Sequence, residues 1–365
     1  MYSFEPSDEQ KMLMDAVGRF AANDLRPAAR EADESGELPA ALLRKGWELG
    51  VLQASIPEEY GGFGARSAVT GVLATEALSY GDLSAAFAVG APALFALPIL
   101  LAGSEPQKQK YLPPIAGGEW RPFATALTEY AFDFDPQGLR TTARRQGDCY
   151  VLDGEKAYVP FAPEAAAFLI YANLEGRTQG FIVPGGSAGL NISGDREKLL
   201  GVKGLPLYRL TIERLEVPAD GRLGGANGHD FGGILAAMQV AQAAAAVGVA
   251  RAAFEYSRDY AKEREAFGVK IAQKQAIAFM LAEMGTEIEA VRLLTWEAAW
   301  KLDAGKEDAA TDAYLASVGA MDMAMMVTDR AVQILGGHGY IRDHPVEMWM
   351  RNGRGFSTFT GFTIV

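Results

Sequence analysis

The stretch 333–351, QILGGHGYIRDHPVEMWMR, closes a long region of the chain that is free of proline. Residues 219–344 contain none of the 17 prolines, so helices can run there without interruption. Three long helical stretches fit this region, near 231–263, 270–304 and 308–335, and they predict a helical bundle. The pair Gly336-Gly337 follows the last of them, as is common where a helix ends.

Upstream of the bundle, residues 121–222 change from helical to β-like patterns. The runs FLIYAN, GFIVP and LYRLTIERLEVP are short and rich in β-branched and aromatic residues. The turn pairs Gly147-Asp148 and Asp153-Gly154 each predict a tight hairpin turn between such runs. These features predict a small antiparallel β domain in the middle of the chain.

Residues 1–120 are predicted to be helical. Ser7 followed by Gln10 forms a capping box, in which the serine accepts a backbone N–H and the glutamine reaches back. A further helix is predicted near Pro39, since proline suits a first turn, and alanine-rich helical sequence runs from about 67 to 101. The predicted fold is therefore α+β and multidomain, with an N-terminal α-helical domain (1–120), a middle small antiparallel β domain (121–222) and a C-terminal α-helical bundle domain (223–365).

The composition narrows the class of protein. The chain has 365 residues, 49% of them hydrophobic, which suits a globular protein of two or three domains. A net charge of −12 argues against a nucleic-acid partner, and no apolar run reaches the roughly 18 residues that span a membrane. The single Cys149 and three scattered histidines predict neither a disulfide nor a metal site. The acidic start MYSFEPSDEQ is unlike a signal peptide, so we predict a cytoplasmic protein.

Several stretches, in this order over essentially the whole chain, together resemble the acyl-CoA dehydrogenase family. Each is weak alone, but their order and spacing make the resemblance specific. The domain order predicted above also matches the fold of that family. The matching stretches are SDEQ (from residue 7), WELGVLQASIPEEYGGFG (47), GSEPQKQKYLPPIAGGEW (103), TE (128), VLDGEKAYV (151), GFIVP (180), YAKEREAFG (260), QAIAFMLAEM (275) and QILGGHGYIRDHPVEMWMR (333).

The resemblance implies an FAD cofactor, a dimer or tetramer, and an acyl-CoA substrate. In the family, a glutamate removes a proton from Cα of the acyl group and the flavin takes a hydride from Cβ. An active member would pass its electrons to electron-transfer flavoprotein. A carboxylate whose pKa lies near neutrality suits this base, because it must reach a carbon acid in a dry pocket.

Neither of the family's two usual positions for that glutamate holds a carboxylate in this chain. Many members carry it in a C-terminal Y-E-G-T segment, where this chain has Thr360 followed by Gly361. Others carry it one helix earlier, where this chain has Met238, with Gln239 in place of a neighbouring arginine. A threonine hydroxyl is not ionised at ordinary pH, so it cannot replace the glutamate as a base.

The resemblance also implies contacts to the flavin held by the same subunit, and these contacts are degraded. Thr128 is kept, and Tyr158 stands where a tryptophan is usual. Asp133 and Phe134 replace the glycine and serine of the family's T-E-P-x-x-G-S-D loop, and an extra carboxylate there would repel a diphosphate. The remaining compared positions are Glu129 and Asp135, which match, and Val159, Pro160, Phe362 and Ile364, which do not.

A second group of family contacts reaches across a subunit interface to the neighbour's FAD, and this group is intact. Its arginine would pair with the pyrophosphate, and its glycines would let the backbone approach the cofactor. Simpler interpretations also exist, namely a surface cation at a helix end and a helix terminator. The six residues of this group are Arg264, Phe267, Gln275, Gln333, Gly336 and Gly337.

Three hypotheses follow from the sequence. The leading one is a subunit without the catalytic glutamate, which completes the FAD site of a homologous catalytic subunit in the oxidation of an acyl-CoA. The second is a self-sufficient FAD-dependent dehydrogenase or oxidase with a non-standard base, for which Glu129, Asp133 and Asp135 are the nearby acidic candidates. The third is a cofactor-free helical binding or scaffold protein.

Overall fold

The computed structural model describes residues 5–365. Residues 1–4, which begin the N-terminal stretch predicted not to be a signal peptide, lie outside the described residues. Helices come first along the chain, then strands, then helices again, which confirms the predicted α+β fold. The helices are α1 (Asp8–Phe20), α2 (Arg26–Ser35), α3 (Ala40–Trp47), α4 (Val51–Ser55), α5 (Ala68–Gly81), α6 (Leu83–Gly90), α7 (Ala93–Ala102), α8 (Glu105–Ala116), α9 (Phe231–Glu263), α10 (Gln275–Asp303), α11 (Ala309–Leu335) and α12 (Val346–Gly353).

The first helices begin where the sequence predicts. Ser7 and Gln10 form the predicted capping box, with Gln10 N donating to Ser7 Oγ at 3.2 Å and Ser7 N donating to Gln10 Oε1 at 2.9 Å. A π-helical stretch, Ala21–Leu25, then carries α1 directly into α2. Pro39 lies immediately before α3 as its N-cap residue.

The alanine-rich segment 67–101 forms three helices rather than one run. Asp82 has an extended backbone, with φ −157°, which ends α5. Its carboxylate accepts the Ala85 backbone N–H at 2.8 Å and so starts α6. The following helix, α7, is bent by 49° relative to α6. Phe87 on α6 is thereby buried against the C-terminal bundle.

The middle region contains the predicted β domain, and its sheet is mixed rather than purely antiparallel. Its strands are β1 (Ala124–Ala126), β2 (Thr142–Gln146), β3 (Cys149–Pro160), β4 (Ala167–Leu174), β5 (Arg177–Pro184), β6 (Leu190–Ile192) and β7 (Leu207–Pro218). The strand order is β1-β4-β2-β3-β7-β6, with β5 paired to β4. β1 runs parallel to β4, and β2 meets β4 in a short parallel pairing, whereas the other pairs are antiparallel. A separate hairpin, β8 (Glu265–Ala266) with β9 (Val269–Lys270), follows α9.

One of the two predicted hairpin turns is confirmed and the other is wrong. Gly147-Asp148 joins β2 to β3 in a two-residue turn. Asp153-Gly154 instead lies inside β3, where the register against β7 shifts just after Leu152. Gly154 is needed at this bulge because a Cβ there would lie 2.7 Å from the Thr141 backbone. An Asp-Gly pair therefore predicts a local irregularity but does not distinguish a bulge from a turn.

The C-terminal bundle consists of α9, α10 and α11, whose bounds agree closely with the three predicted stretches. The middle of α9 is almost fully buried, and many of its residues are alanines that allow close packing. By length and composition α9 could span a membrane, although polar residues interrupt its apolar sequence. However, 89% of its most apolar window is buried inside the structure, as in the core helix of a globular protein.

After α12 the chain returns from the bundle to the N-terminal helices. This segment, 355–365, is called the tail below. Its aromatic residues belong to the core that α5, α6, α9 and α11 share, and Ile364 belongs to a second core with residues of α4 and α7. The tail therefore lies between the N-terminal and C-terminal helices, close to the end of β1.

Candidate functional site

Thr360 lies where the tail, α9 and the segment after β1 meet. Its Oγ1 is 3.4 Å from Gln242 Oε1, a long hydrogen bond, and its backbone carbonyl accepts Thr128 Oγ1–H at 3.2 Å. The almost fully buried Gln242 also donates from Nε2 to the Phe356 carbonyl. The polar groups around Thr360 are therefore paired with one another, and no carboxylate takes part.

Met238, the other usual base position, lies one turn before Gln242 on α9. Residues four apart share a helix face, so Met238 and Gln242 lie on the same side of α9. Met238 is fully buried in the apolar cluster that also contains Leu127 and Ile364. The half-buried Gln239 is the next residue. Both positions where the family carries its base thus lie close to the tail, and both hold uncharged side chains.

Three phenylalanines pack together beside Thr360. The Phe87 ring centroid is 5.5 Å from that of Phe359 and 5.8 Å from that of Phe362, both edge-on. Phe359 and Phe362 are stacked at 5.3 Å. All three side chains are at most 3% exposed, and such ring pairs are favourable. The chain's own aromatic core therefore packs against one side of Thr360, while Thr360 itself stays half-buried.

The end of the tail is held against the N-terminal helices. Arg66 donates to the Val365 carbonyl from Nη2 at 2.6 Å and from Nε at 3.2 Å. Val365 packs closely on Gly71: a Cβ added to Gly71 would lie only 2.7 Å from the Cβ of Val365. A cavity of about 70 Å³, lined by Trp47 and Leu78 among other apolar residues, remains beside it.

Glu129, one of three acidic residues considered as a substitute base, forms a buried ion pair with Lys156. Their Oε1 and Nζ atoms are 2.7 Å apart, and the side chains are 6% and 0% exposed. Glu129 also accepts the backbone N–H groups of Arg140 and Thr141 at 2.7 and 2.9 Å. Burial would raise the pKa of Glu129, but Lys156 and these donors outweigh it, so the pKa is lowered. Burial lowers the pKa of Lys156 to about 8, against the opposing effect of Glu129. The Glu129 carboxylate is thus held by Lys156 and by two backbone N–H groups, so it is not free to act as a base.

The other two acidic candidates are exposed. Asp133 Oδ1 accepts from Arg140 Nη2 at 2.6 Å, and the Asp133 side chain is 75% exposed. Asp135 Oδ1 accepts the backbone N–H of Gln137 at 2.9 Å in a local turn. Phe134 between them is half-buried. Neither carboxylate lies in the dry pocket that proton removal from carbon requires.

Tyr158, the expected counterpart of the family's tryptophan, contacts the chain's own side chains. It has a φ of +55°, which is uncommon for a non-glycine residue. Its ring meets Tyr130 edge-on at 5.5 Å, and the Arg209 guanidinium lies 4.3 Å from the Tyr130 ring centroid. Tyr130 also donates to Glu197, and burial together with this bond raises the pKa of Tyr130 to about 12. Val159 and Pro160 complete β3 beyond Tyr158.

The six residues of the second group share one property: all of them are exposed. They follow the end of α9, begin α10, or lie at the end of α11 and just after it. Together they are called the reach-across face below. They are Arg264, Phe267, Gln275, Gln333, Gly336 and Gly337.

Arg264 is fixed by its backbone and has a free side chain. Its N–H donates to the Tyr260 carbonyl at 2.8 Å, and its own carbonyl accepts the Ile271 N–H at 2.9 Å. These bonds hold the β8–β9 hairpin at the end of α9. Among the residues that the structure describes, no hydrogen bond or ion pair engages the Arg264 guanidinium. A free guanidinium on a fixed backbone suits the recognition of a phosphate.

Phe267 lies in the turn of the same hairpin and is 94% exposed. Its φ is +56°, a strained value for an aromatic residue. Lys274 Nζ lies 5.7 Å from its ring centroid. A large apolar side chain that is both strained and exposed indicates a contact with another molecule.

Gly336 and Gly337 differ in what their own chain requires of them. Gly336 has a φ of +59°, so the turn at the end of α11 explains why it is glycine. Gly337 has no such constraint, and a Cβ added to it would meet no atom within 4 Å. Neither its conformation nor its packing explains why it is glycine. Close approach of an outside group is a physical reason for glycine at such a position.

The two groups fit FAD differently. The reach-across face offers a free guanidinium, an exposed ring and an open glycine turn, which fit a dinucleotide. The other group does not fit a flavin ring, because the Thr128 hydroxyl is bonded to the tail and Phe362 and Ile364 are buried in the core. In residues 5–365 no group of three potential metal ligands occurs.

Several residues of the site were not identified from the sequence. Gln242 could have been found, since it lies one helical turn after Met238 and must share its face. Lys156 stands in the stretch DGEK, and nothing there indicates that it is fully buried. Phe87 contacts the tail from more than 200 positions away in the chain, and no local pattern predicts that contact.

Comparison with known proteins agrees with this architecture. Sequence profiles of the acyl-CoA dehydrogenase N-terminal, middle and C-terminal domains match residues 7–119, 124–215 and 232–363. Cyclohex-1-ene-1-carbonyl-CoA dehydrogenase of Syntrophus aciditrophicus is 35% identical, over 98% of this chain and 87% of that protein. A subunit, CarC, of the caffeyl-CoA reductase-Etf complex of Acetobacterium woodii is 34% identical, over 97% and 95%. The solved FAD complex of PigA superposes with a TM-score of 0.89 at 26% identity, covering 99% and 96%.

The chain belongs to the acyl-CoA dehydrogenase family. The matched profiles cover all three of the family's domains, in the order in which the structure places helices, sheet and bundle.

Proposed function

We propose that this chain is a subunit lacking the catalytic glutamate, which completes the FAD site of a homologous catalytic subunit. The complex would carry out α,β-dehydrogenation of an acyl-CoA. One observation supports the proposal: the Thr360 side of the site holds no carboxylate and packs against core side chains, whereas the reach-across face is exposed and free. The residues that would serve a neighbour's cofactor are kept, whereas most of those that would serve the chain's own cofactor are replaced.

In this complex FAD would be held by the catalytic subunit and would supply the redox chemistry by accepting a hydride. Arg264 of this chain would bind the pyrophosphate through charge-assisted hydrogen bonds. Phe267 would exclude water from the cofactor, and Gly336-Gly337 would let the backbone approach it. The proton would be removed from Cα by the carboxylate of the catalytic subunit, because this chain has none at either usual position.

Named relatives support acyl-CoA and electron-transfer flavoprotein as the other components. The first relative is a dehydrogenase of a CoA thioester, and the second is a subunit of a reductase-Etf complex. The solved relative has FAD bound. By analogy, we propose an acyl-CoA substrate and an electron-transfer flavoprotein as acceptor for the mixed complex.

The alternative of a self-sufficient enzyme has less support. Its three candidate bases are a paired, buried Glu129 and two exposed aspartates, Asp133 and Asp135. A scaffold without cofactor would leave the free Arg264, the strained Phe267 and the glycine at 337 without a physical reason. Both alternatives remain outcomes of the experiment below.

The test replaces one arginine at a time by alanine in the mixed complex, first in this chain and then in its partner. This chain is co-expressed with a homologue that keeps the glutamate, and FAD is quantified after gel filtration. Arg264→Ala in this chain is expected to lower FAD affinity about tenfold or more, since it removes a charged hydrogen bond to phosphate. The matched control is the same substitution at the equivalent arginine of the homologue, which would reach only into the degraded site of this chain.

The expected result is asymmetric: Arg264→Ala lowers the FAD content of the complex, and the control leaves it unchanged. Equal losses from both substitutions would show two working cofactor sites and favour the self-sufficient enzyme. No complex with any homologue, and no flavin, would favour the scaffold.

A further inference from the structure

We infer that His338 is a positioning residue, which holds the Gly336-Gly337 turn against the end of α9 through a hydrogen bond to Tyr260. The inference rests on the proposed function, because its consequence is the affinity for a cofactor shared with a partner subunit. His338 is not among the six residues of the reach-across face, and it touches none of the groups assigned to catalysis.

Four rings form a cluster behind the reach-across face. Tyr260 Oη and His338 Nδ1 are 2.7 Å apart, and Tyr256 Oη and His344 Nδ1 are also 2.7 Å apart. The His344 ring centroid lies 5.6 Å from those of His338 and Tyr260. With Nδ1 unprotonated, each tyrosine O–H donates to its histidine. We call these four residues the clasp.

The clasp joins the two halves of the reach-across face. Arg264 lies one helical turn after Tyr260, and its N–H donates to the Tyr260 carbonyl. His338 directly follows Gly337. Within residues 5–365, the two tyrosine–histidine bonds are the hydrogen bonds that connect segment 336–345 to the last turns of α9. The bond between Tyr260 and His338 therefore adds to the packing of α11 on α9 in setting the distance between the arginine and the glycine turn.

A turn of two glycines needs such a constraint. Glycine adopts many backbone conformations, so the open turn at Gly336-Gly337 is intrinsically free to move. The turn is bonded to the end of α11 through its backbone, but no side chain of this protein would contact a Cβ at Gly336 or Gly337, so no side chain restrains the two glycines directly. A hydrogen bond from the next residue to a helix reduces the entropy that would otherwise be lost on binding a ligand. The clasp thus preorganises the phosphate-binding half of the site.

The test measures FAD affinity of the mixed complex with variants of the bond. Tyr260→Phe and His338→Phe each remove one partner and keep a ring, and each is expected to weaken FAD binding about fivefold, the value of one net hydrogen bond. The double variant is expected to lose no more than either single variant, because one bond is removed in all three. His338→Asn is expected to restore affinity, since asparagine Oδ1 takes the place of Nδ1 as acceptor.

Tyr111→Phe, on α8 far along the chain, is the matched control, and its hydroxyl has no hydrogen bond among the described residues. The thermal midpoint of this chain alone is measured for every variant. Losses of affinity that are additive, that asparagine does not rescue, or that simply follow a fall in thermal midpoint overturn the inference. If the unsubstituted mixed complex holds no FAD, the proposed function itself has failed and the inference falls with it. That case is distinguishable because the reference sample is empty.

Discussion

The Thr360 side and the reach-across face differ in what their residues contribute to the chain's own fold. Around Thr360, three phenylalanines and Gln242 pack together, and all four side chains are buried. On the reach-across face, Arg264 and Phe267 are exposed and give the fold little or nothing. The first region contributes aromatic side chains to the hydrophobic core, while the exposed side chains of the second contribute little to it. General decay of the site would have affected both regions alike.

The largest expected effect concerns the ion pair that removes Glu129 from the list of bases. Lys156→Met leaves the Glu129 carboxylate buried without its partner, and we expect a loss of about 3–5 kcal/mol in the free energy of unfolding. Urea denaturation of the isolated chain measures it. Adding Glu129→Gln to the same chain should recover part of the loss, because the unpaired charge is gone. A loss below about 1 kcal/mol would mean that the pair is not structural.

Two phenylalanine substitutions, one near Thr360 and one on the reach-across face, test the contrast between the two regions. Phe362→Ala opens a cavity in the core next to Phe87 and Phe359, and we expect a loss of about 3–5 kcal/mol in unfolding free energy. Phe267→Ala removes an exposed ring, and we expect a change within about 0.5 kcal/mol. Chemical denaturation of both variants gives the difference directly. Equal losses would contradict the contrast between a filled and an open region.

A pH dependence is expected from Asp82, which starts the helix that carries Phe87. Burial raises its pKa from 3.8 to about 6, against the opposing hydrogen bond from the Ala85 N–H. Because the folded pKa is raised, this contribution to stability is complete below about pH 4 and is lost as the pH rises through 6. Wild type should lose about 2 kcal/mol relative to Asp82→Asn between pH 4 and 7. A constant difference between the two proteins across this range would show that Asp82 is not buried as described.

The smallest effect is expected at Thr360. Thr360→Val keeps the shape of the side chain and removes its long hydrogen bond to Gln242, so stability should fall by about 0.5 kcal/mol. Turnover of the mixed complex should not change, since the hydroxyl takes part in no step. A clear fall in turnover, with the complex intact, would mean that this position still acts on the substrate.

Much of the fold follows from the sequence because its signals are local. The capping box at Ser7, the proline-free bundle and the turn at Gly147 each depend on neighbours in the chain. The errors came from the same local view. Asp153-Gly154 has the composition of a turn but lies in a strand, where pairing with β7 decides the outcome. The parallel pairing of β1 with β4 is a tertiary choice that neither strand indicates.

At the candidate site, too, the sequence predicts which residues are present but not their tertiary contacts. The sequence places uncharged residues at both base positions, but it does not indicate that Gln242 connects α9 to the tail or that Phe87 fills the space beside it. Exposure of the reach-across face is likewise invisible in the sequence, because Arg264 and Phe267 look the same whether buried or free. The domain boundaries and the roles of individual cofactor-binding residues remain predictions.

The most direct test of the central claim is the ratio of FAD to polypeptide. It is measured for this chain purified alone from riboflavin-supplied cells, and then for the complex with a homologue that keeps the glutamate. The proposed function predicts no FAD on the isolated chain and about one FAD per two chains in the complex, because one of each pair of cofactor sites would lack most of its contacts to the flavin. About one FAD per chain for the protein alone would contradict it.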